Sequence, residues 1–296
     1  MFSMRFYGFA ALSALFWGAN FNLAGPVLAD LHPLAAGAER FLLAAGIMLA
    51  AMTGRGELAA TRLVARRYGG RLALLAVVGI GGFNLLFFDA MRSTSAVNGA
   101  LIMATNPLVT TLLAAPLLGE RPSRRQLLAL PVALIGVAAV IMGGRAGRGL
   151  SVNPGDVEMV WANLAWAFYN VLSKKLMPAG SQLANITVLM AIGALVLTAV
   201  ALANGDSLAV PGIRGSAALL VMALAGSVLG YLFWSMAIGG LGAGRAALFL
   251  NLVPVFAALI ASLTGDLPSG TQLTGGTAVI AAVTLAMLPP RRLVAA

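Results

Sequence analysis

Ten apolar runs govern what this chain can fold into: residues 6–28, 33–53, 72–91, 96–118, 126–144, 157–177, 182–203, 214–238, 246–264 and 272–289. Each is about 18–25 residues long, and a helix needs roughly 20 to cross the hydrocarbon core of a bilayer. Charged residues make up 9% of the chain, where a water-soluble domain carries about 25%. The runs lack the alternation, at roughly ten-residue spacing, of a transmembrane β-barrel. An all-α integral membrane protein with ten transmembrane helices is therefore predicted, with the lipid bilayer as its partner. The net charge of +10 does not point to nucleic acid, because the basic residues lie in short loops rather than on one soluble face. There is no cysteine, which removes disulfides and thiolate metal sites. The first twenty residues have the outline of a signal peptide, but the apolar stretch runs on to residue 28 and contains Trp17 and Asn20. The segment is expected to stay as the first helix.

The chain also repeats itself. PLLGERPSRRQL at 116–127 returns as SLTGDLPSGTQL at 262–273, and AMRSTSAVNGALIMATNP at 90–107 lies over AIGGLGAGRAALFLNLVP at 237–254. More weakly, LFWGAN at 15–20 lies over LAWAFY at 164–169, which aligns Trp17 with Trp166. The offset stays between 146 and 149, so the chain divides into two five-helix repeats, 1–148 and 152–296, joined through GGRAGRGLSVNPGD. Five is odd, so the second repeat is expected to enter the membrane inverted. With both termini cytoplasmic, Arg40, Arg92, Arg145, Arg148 and Arg214 fall outside and the other fourteen of the 19 Lys and Arg residues fall inside, as the positive-inside tendency requires. Arg121, Arg124 and Arg125 of the first copy become Leu267, Gly270 and Thr271 in the second, the change expected of a loop that has switched sides. What survives is helix-end chemistry. Gly119 and Gly265 are placed to stop one helix in the left-handed conformation. Ser123 with Gln126, and Ser269 with Gln272, spell capping boxes for the next. Glu120 and Asp266 are read as parts of these helix ends.

LFWGANFNLA in the first helix, AERFLLAAGIML in the second and SAVNGALIMATNPLVTTLLAAPLLGERPS through the fourth resemble the EamA-type repeat of the drug/metabolite transporter superfamily. VPVFAALIASLTGDLPS carries the pattern into the second half. The resemblance covers nearly the whole chain and is nearest to bacterial amino-acid exporters of the YddG type. It departs at Asp266, where the pattern has Glu, and in the weak match of the sixth and seventh helices to the first and second. The resemblance implies two five-helix halves in the inner (plasma) membrane, exporting a small-molecule substrate from the cytoplasm by alternating access. Export of drugs, or of purine- or sugar-like metabolites, is the alternative within the same superfamily.

Inverted-repeat carriers hold their substrate near the bilayer midplane between the halves. A polar side chain at that depth is costly and faces a cavity or another helix. At helical spacing, Ser13, Trp17 and Asn20 share a face of the first helix, and Gly81, Asn84 and Phe88 a face of the third. Asn163, Trp166 and Asn170 do so on the sixth, and Ser227, Tyr231 and Trp234 on the eighth. The candidate substrate-binding residues are Trp17, Asn20, Asn84, Phe88, Trp166, Asn170, Tyr231 and Trp234. This set has no permanent charge, so a neutral, aromatic, amide-rich cavity is expected, suited to neutral amino acids and poorly suited to Asp or Glu. Pro107 and Pro254 interrupt the fourth and ninth helices as hinges, leaving the carbonyls of Met103 and Leu250 for an ammonium. The competing reading has Asn and Ser stitching helices together at about 0.6 kcal/mol each, with Trp161 as an interface anchor.

Glu39, Asp89 and Glu158 lie near outer helix ends, Glu39 beside Arg40 and Asp89 three residues before Arg92. They are read as interfacial charge pairs rather than ion carriers. Catalysis is not expected, since the chain has one histidine, His32, no cysteine and no HExxH. GGLGAGR at 239–245 carries Arg245 where a phosphate loop needs its third glycine. No cofactor or metal is implied. GVAAVIMGG at 136–144, and Gly226 with Gly230, permit close helix contact and leave the oligomeric state open.

Overall fold

A computed structural model of the chain describes residues 4–119, 122–143, 153–241 and 248–287, and these are helical apart from short connections. The helical segments group into ten rods. In the first half, α1 is Met4–Leu28, α2 Pro33–Gly54, α3 Leu58–Ala90, α4 Ala96–Leu118 and α5 Arg124–Gly143. In the second, α6 is Pro154–Leu176, α7 Gln182–Ala203, α8 213–241, α9 248–263 and α10 Gly270–Met287. Each lies within a few residues of its apolar run except α3, which starts at Leu58 rather than at residue 72. Its first turns carry Arg62, Arg66, Arg67 and Arg71 and are mostly exposed, so the helix continues past the apolar run. By length and composition, Pro33–Gly54, Leu58–Ala90, Ala96–Leu118, Gln182–Ala203 and Ile213–Ala237 are able to cross a membrane; Phe249–Leu263 is apolar but shorter.

The repeated helix ends form as their sequence requires. Gly119 (φ 71°) and Gly265 (φ 92°) are left-handed, a region open to residues without a Cβ. The Ser123 N–H donates to Gln126 Oε1 at 2.7 Å while the Gln126 N–H donates to Ser123 Oγ at 3.3 Å. Ser269 and Gln272 make the same exchange at 2.7 and 3.2 Å. Asp266 is exposed. Glu120 and Arg121, the linker residues 144–152 and the loop from Gly242 through Arg245 lie outside the described residues.

The packing of the halves is reciprocal. α1 packs on α8 and α9, and α6, five helices later, packs on α3 and α4. α2 meets α7 and α8 while α7 meets α2 and α3, and α5 runs along α10. Small residues set the separations. A Cβ on Gly136 of α5 would fall 2.8 Å from the Gly275 carbonyl oxygen of α10, so this small-residue stretch is used within the chain.

α3 and α8 each contain a π-helical stretch, Val77–Gly82 and Met222–Leu229, which apolar periodicity does not announce. Gly79 and Gly226 hold corresponding places in them, separated by the repeat offset. Gly79 receives the Tyr169 ring of α6, and Gly226 receives the Asn20 amide of α1; in both, an added Cβ would overlap that side chain. π-Turns are rare and collect at functional sites because their wider loop spreads the carbonyls and re-aims the side chains of the next turn. Here those carbonyls take side-chain donors: Asn84 Nδ2 reaches Ile80 O at 2.9 Å and Trp17 Nε1 reaches Gly226 O at 3.0 Å.

Candidate substrate cavity

A cavity borders residues of both halves, beside the two π-stretches. Its volume is about 90 Å³ at the level of water centres, room for several waters at roughly 10–15 Å³ each by that measure. Rings form much of its wall. Tyr231 stands between the two tryptophans and edge-on to both, with centroids 6.1 Å from Trp17 and 5.9 Å from Trp166 and interplanar angles of 82° and 89°. Phe83 backs Trp166 at 5.1 Å. Edge-to-face pairs of this kind add about 0.5–1.5 kcal/mol beyond the area they bury, which favours this arrangement of the wall.

The cavity also meets two helix breaks. α4 consists of Ala96–Met103 and Asn106–Leu118, and Pro107 occupies the first turn of the second piece. Pro254 lies in the first turn of Leu252–Leu263, after the 3₁₀ turn Leu248–Asn251. A first turn has no use for the missing N–H, so each proline starts a new helix rather than kinking an old one. Met103 and Leu250 line the cavity at these breaks. Beside the first, Asn163 Nδ2 donates to Ile102 O at 3.3 Å and to Thr105 Oγ1 at 2.8 Å. Asn106 Nδ2 reaches Asn163 Oδ1 at 2.7 Å, and its own Oδ1 accepts from Asn170 at 2.9 Å. The asparagines of α6 therefore stitch that helix to the broken α4.

Of the eight candidates, Trp17, Asn20, Asn84, Trp166 and Tyr231 gather round this cavity. The other three lie outside its lining. Phe88 is fully buried and faces Gly37 of α2, because α3 turns Phe83, Asn84 and Phe87 to the cavity and Phe88 falls beyond that strip. Trp234 stands behind Trp17 with centroids 5.3 Å apart. Asn170 lines a second cavity of about 330 Å³ with Thr110, Gln126 and Lys174. Asn106 links the two, lining the first and bonding Thr110 and Asn170 of the second.

The cavity is not neutral, contrary to the expectation from the aligned faces. Arg40 lines it at 4% exposure. Adjacent residues on a helix point about 100° apart, so Glu39 and Arg40 do not pair: Glu39 Oε1 accepts from the Ala209 N–H at 2.9 Å. Arg40 Nε instead donates to Ser227 Oγ at 3.1 Å and Nη1 to Asn84 Oδ1 at 3.3 Å. The Asp89–Arg92 pair does form, at 3.2 Å, and Trp161 is 56% exposed as an anchor would be. A signal for Arg40 was present: the residues three and four away are Ala36, Gly37, Leu43 and Ala44, with no acid among them. Asp156 was also missed. It is 1% exposed and takes bonds from Thr94 and Asn98, whose amide oxygen accepts from Gln272 at 2.8 Å. The second capping box is thus tied to α4 and α6.

The EamA-like transporter family matches residues 4–142 and, a second time, 153–288. The chain is 37% identical over 276 residues to the uncharacterized transporter YyaM of Bacillus subtilis, covering 91% of this chain and 89% of that one. It is 29% identical over 284 residues to the probable amino-acid metabolite efflux pump of Salmonella typhimurium, covering 92% and 91%. A crystal structure with 20% sequence identity shares the fold at a TM-score of 0.68 over 94% of both chains. Two matches that together account for nearly the whole chain place this membrane protein in the EamA-like transporter family, as a transporter rather than an enzyme.

Proposed function

We propose that the protein is a secondary transporter that exports small neutral amino acids or related metabolites across the inner membrane, by alternating access through the central cavity. The observation that carries this reading is the aromatic cavity built from both halves, with Trp17 and Trp166 in corresponding positions. The name of the Salmonella relative supports the amino-acid class. The reciprocal helix packing and the double family match support two repeats, 1–148 and 152–296, inverted across ten crossings with both termini cytoplasmic. Withdrawing the buried Arg40 from the outer flank leaves the charge asymmetry in favour of that orientation. In this arrangement the cavity at Lys174 and Gln126 faces the cytoplasm, and a solute passes Asn106 to reach the centre.

Purified protein in proteoliposomes, given a panel of labelled amino acids with and without a proton gradient, is expected to move at least one neutral amino acid with an aromatic, Met or Thr side chain. Flux no greater than in empty liposomes across the panel would remove this function. The topology has its own test in this cysteine-free chain. Arg124→Cys and Gly270→Cys sit at equivalent helix starts, and only Gly270→Cys is expected to react with an impermeant thiol reagent on intact cells. Equal labelling of the two contradicts the inversion.

A further inference from the structure

We infer that Arg40 anchors the carboxylate of the transported solute, so that cargo of the central cavity must carry one. This rests on the proposed transport through that cavity. A guanidinium has five N–H donors. Arg40 uses two within the described residues, Nε–H to Ser227 Oγ at 3.1 Å and one Nη1–H to Asn84 Oδ1 at 3.3 Å. The other N–H groups have no hydrogen-bond acceptor there, both acceptors are neutral, and the guanidinium's one further contact there is with the Phe41 ring, 5.4 Å from its centroid. No ion pair of Arg40 occurs among the described residues: Glu39, its neighbour in sequence, accepts from the Ala209 N–H, Asp30 from the Gly212 N–H, and Asp89 pairs with Arg92. A buried cation without a counter-charge is strongly unfavourable, and inside a membrane such a group marks a ligand path.

The two bonds that Arg40 makes position it without neutralising it. Ser227 belongs to the π-stretch of α8. Asn84 follows the π-stretch of α3, and its Nδ2 is held by Ile80 O at 2.9 Å, which leaves its Oδ1 for Arg40. Two corresponding distortions of the backbone thus grip one side chain and leave its free donors to the cavity it lines. A carboxylate matches a guanidinium fork with two parallel bonds. The same cavity holds what the rest of an amino acid would use. The Asn20 amide is 6% exposed and has no hydrogen-bond partner among the described residues, so its oxygen is available to an ammonium. Among the described lining residues Arg40 alone is charged, so a second carboxylate finds no second cation. The aromatic wall takes an apolar body.

Four probes separate an anchor from a staple between helices: L-phenylalanine, 3-phenylpropionate, phenethylamine and L-phenylalanine methyl ester. Binding is read on the full purified chain by tryptophan fluorescence and by thermal stabilisation. The first two are expected to bind and the two without a carboxylate to bind at least about tenfold more weakly, as loss of a charge-assisted bond implies. Arg40→Gln is expected to erase that preference, and Arg40→Lys to retain part of it because the charge stays and the fork is lost. Should Arg40→Gln fail to fold, the four-probe series on the unaltered protein still decides. Amine and ester binding as well as the acids overturns the anchor, and so does failure of all four to bind. Binding of the acids without flux of any amino acid upholds the anchor and removes the export function. Flux of phenylalanine that the methyl ester inhibits equally well does the reverse.

Discussion

Trp166→Ala is expected to abolish the resistance to toxic amino-acid analogues that the parent protein confers on cells, and to lower efflux from proteoliposomes by about tenfold or more. Trp166 packs on Phe83, Tyr169 and Tyr231 at 5.1, 4.9 and 5.9 Å between centroids. Its ring nitrogen makes no hydrogen bond within the described residues, so the change removes a cavity wall without leaving an orphaned acceptor. A tenfold effect needs only about 1.4 kcal/mol, comparable to one aromatic contact of about 0.5–1.5 kcal/mol. Trp17→Ala is expected to remove transport as well, but with a lower unfolding temperature. It also loses the bond from Nε1 to Gly226 O at 3.0 Å, of the order of 1 kcal/mol. Trp17→Phe keeps a ring and drops the N–H, which separates the two effects. Immunoblots of membranes check that the proteins are present. Full resistance in both alanine variants would place the site elsewhere.

Gly18→Leu is expected to prevent accumulation of folded protein. Gly18 is where α1 crosses α9, and an added Cβ would stand 2.8 Å from both Val253 O and Phe256 Cβ, and 3.0 Å from Ala257 N. Two of these are backbone atoms, which no rotamer change can move, so the helices must separate along the cavity wall. Overpacking of this sort costs about 1–3 kcal/mol and more where the backbone cannot yield. Gly25→Ala on the same helix is the control. Nothing lies within 4 Å of its added Cβ, and alanine is favoured over glycine in a helix by about 1 kcal/mol. Thermal unfolding in detergent should rank Gly25→Ala at or above the parent and Gly18→Leu far below. Unchanged melting of Gly18→Leu would mean that α1 and α9 do not approach as closely as they do here.

What the sequence disclosed, and what it did not, divides by distance along the chain. The rods were legible because bilayer thickness sets their length, and the helix ends because a capping box occupies four consecutive residues. Pairing Trp17 with Trp166 needed only the repeat offset. For Arg40 the local sequence showed only the lack of an acid at helical spacing, while Ser227, which receives its Nε–H, lies 187 residues away. The π-stretches VVGIGG and MALAGSVL read as ordinary apolar helix, since their geometry answers to what packs against Gly79 and Gly226 rather than to local preference. Phe88 was misplaced by a strip of helix surface one side chain wide. Asp156 was passed over as part of the connecting segment although it sits in the first turn of α6, where a carboxylate also suits the helix dipole.

The reciprocal pairing of helices between the halves has a consequence for how a carrier on this frame would idle. Were the two halves identical, its inward-open and outward-open forms would be degenerate, one turning into the other by relabelling. Any preference must then come from residues without a counterpart. Arg40 is one, since the repeat offset sets it against Ile186–Leu189 of α7, a stretch with no charge. A bias of about 1.4 kcal/mol from such a mismatch shifts the two populations tenfold. With Arg40 as anchor, the solute's carboxylate end would stay with the first half while its other end changes partners. The carrier would then have a polarity of its own: a fixed head and tail for everything that passes through it.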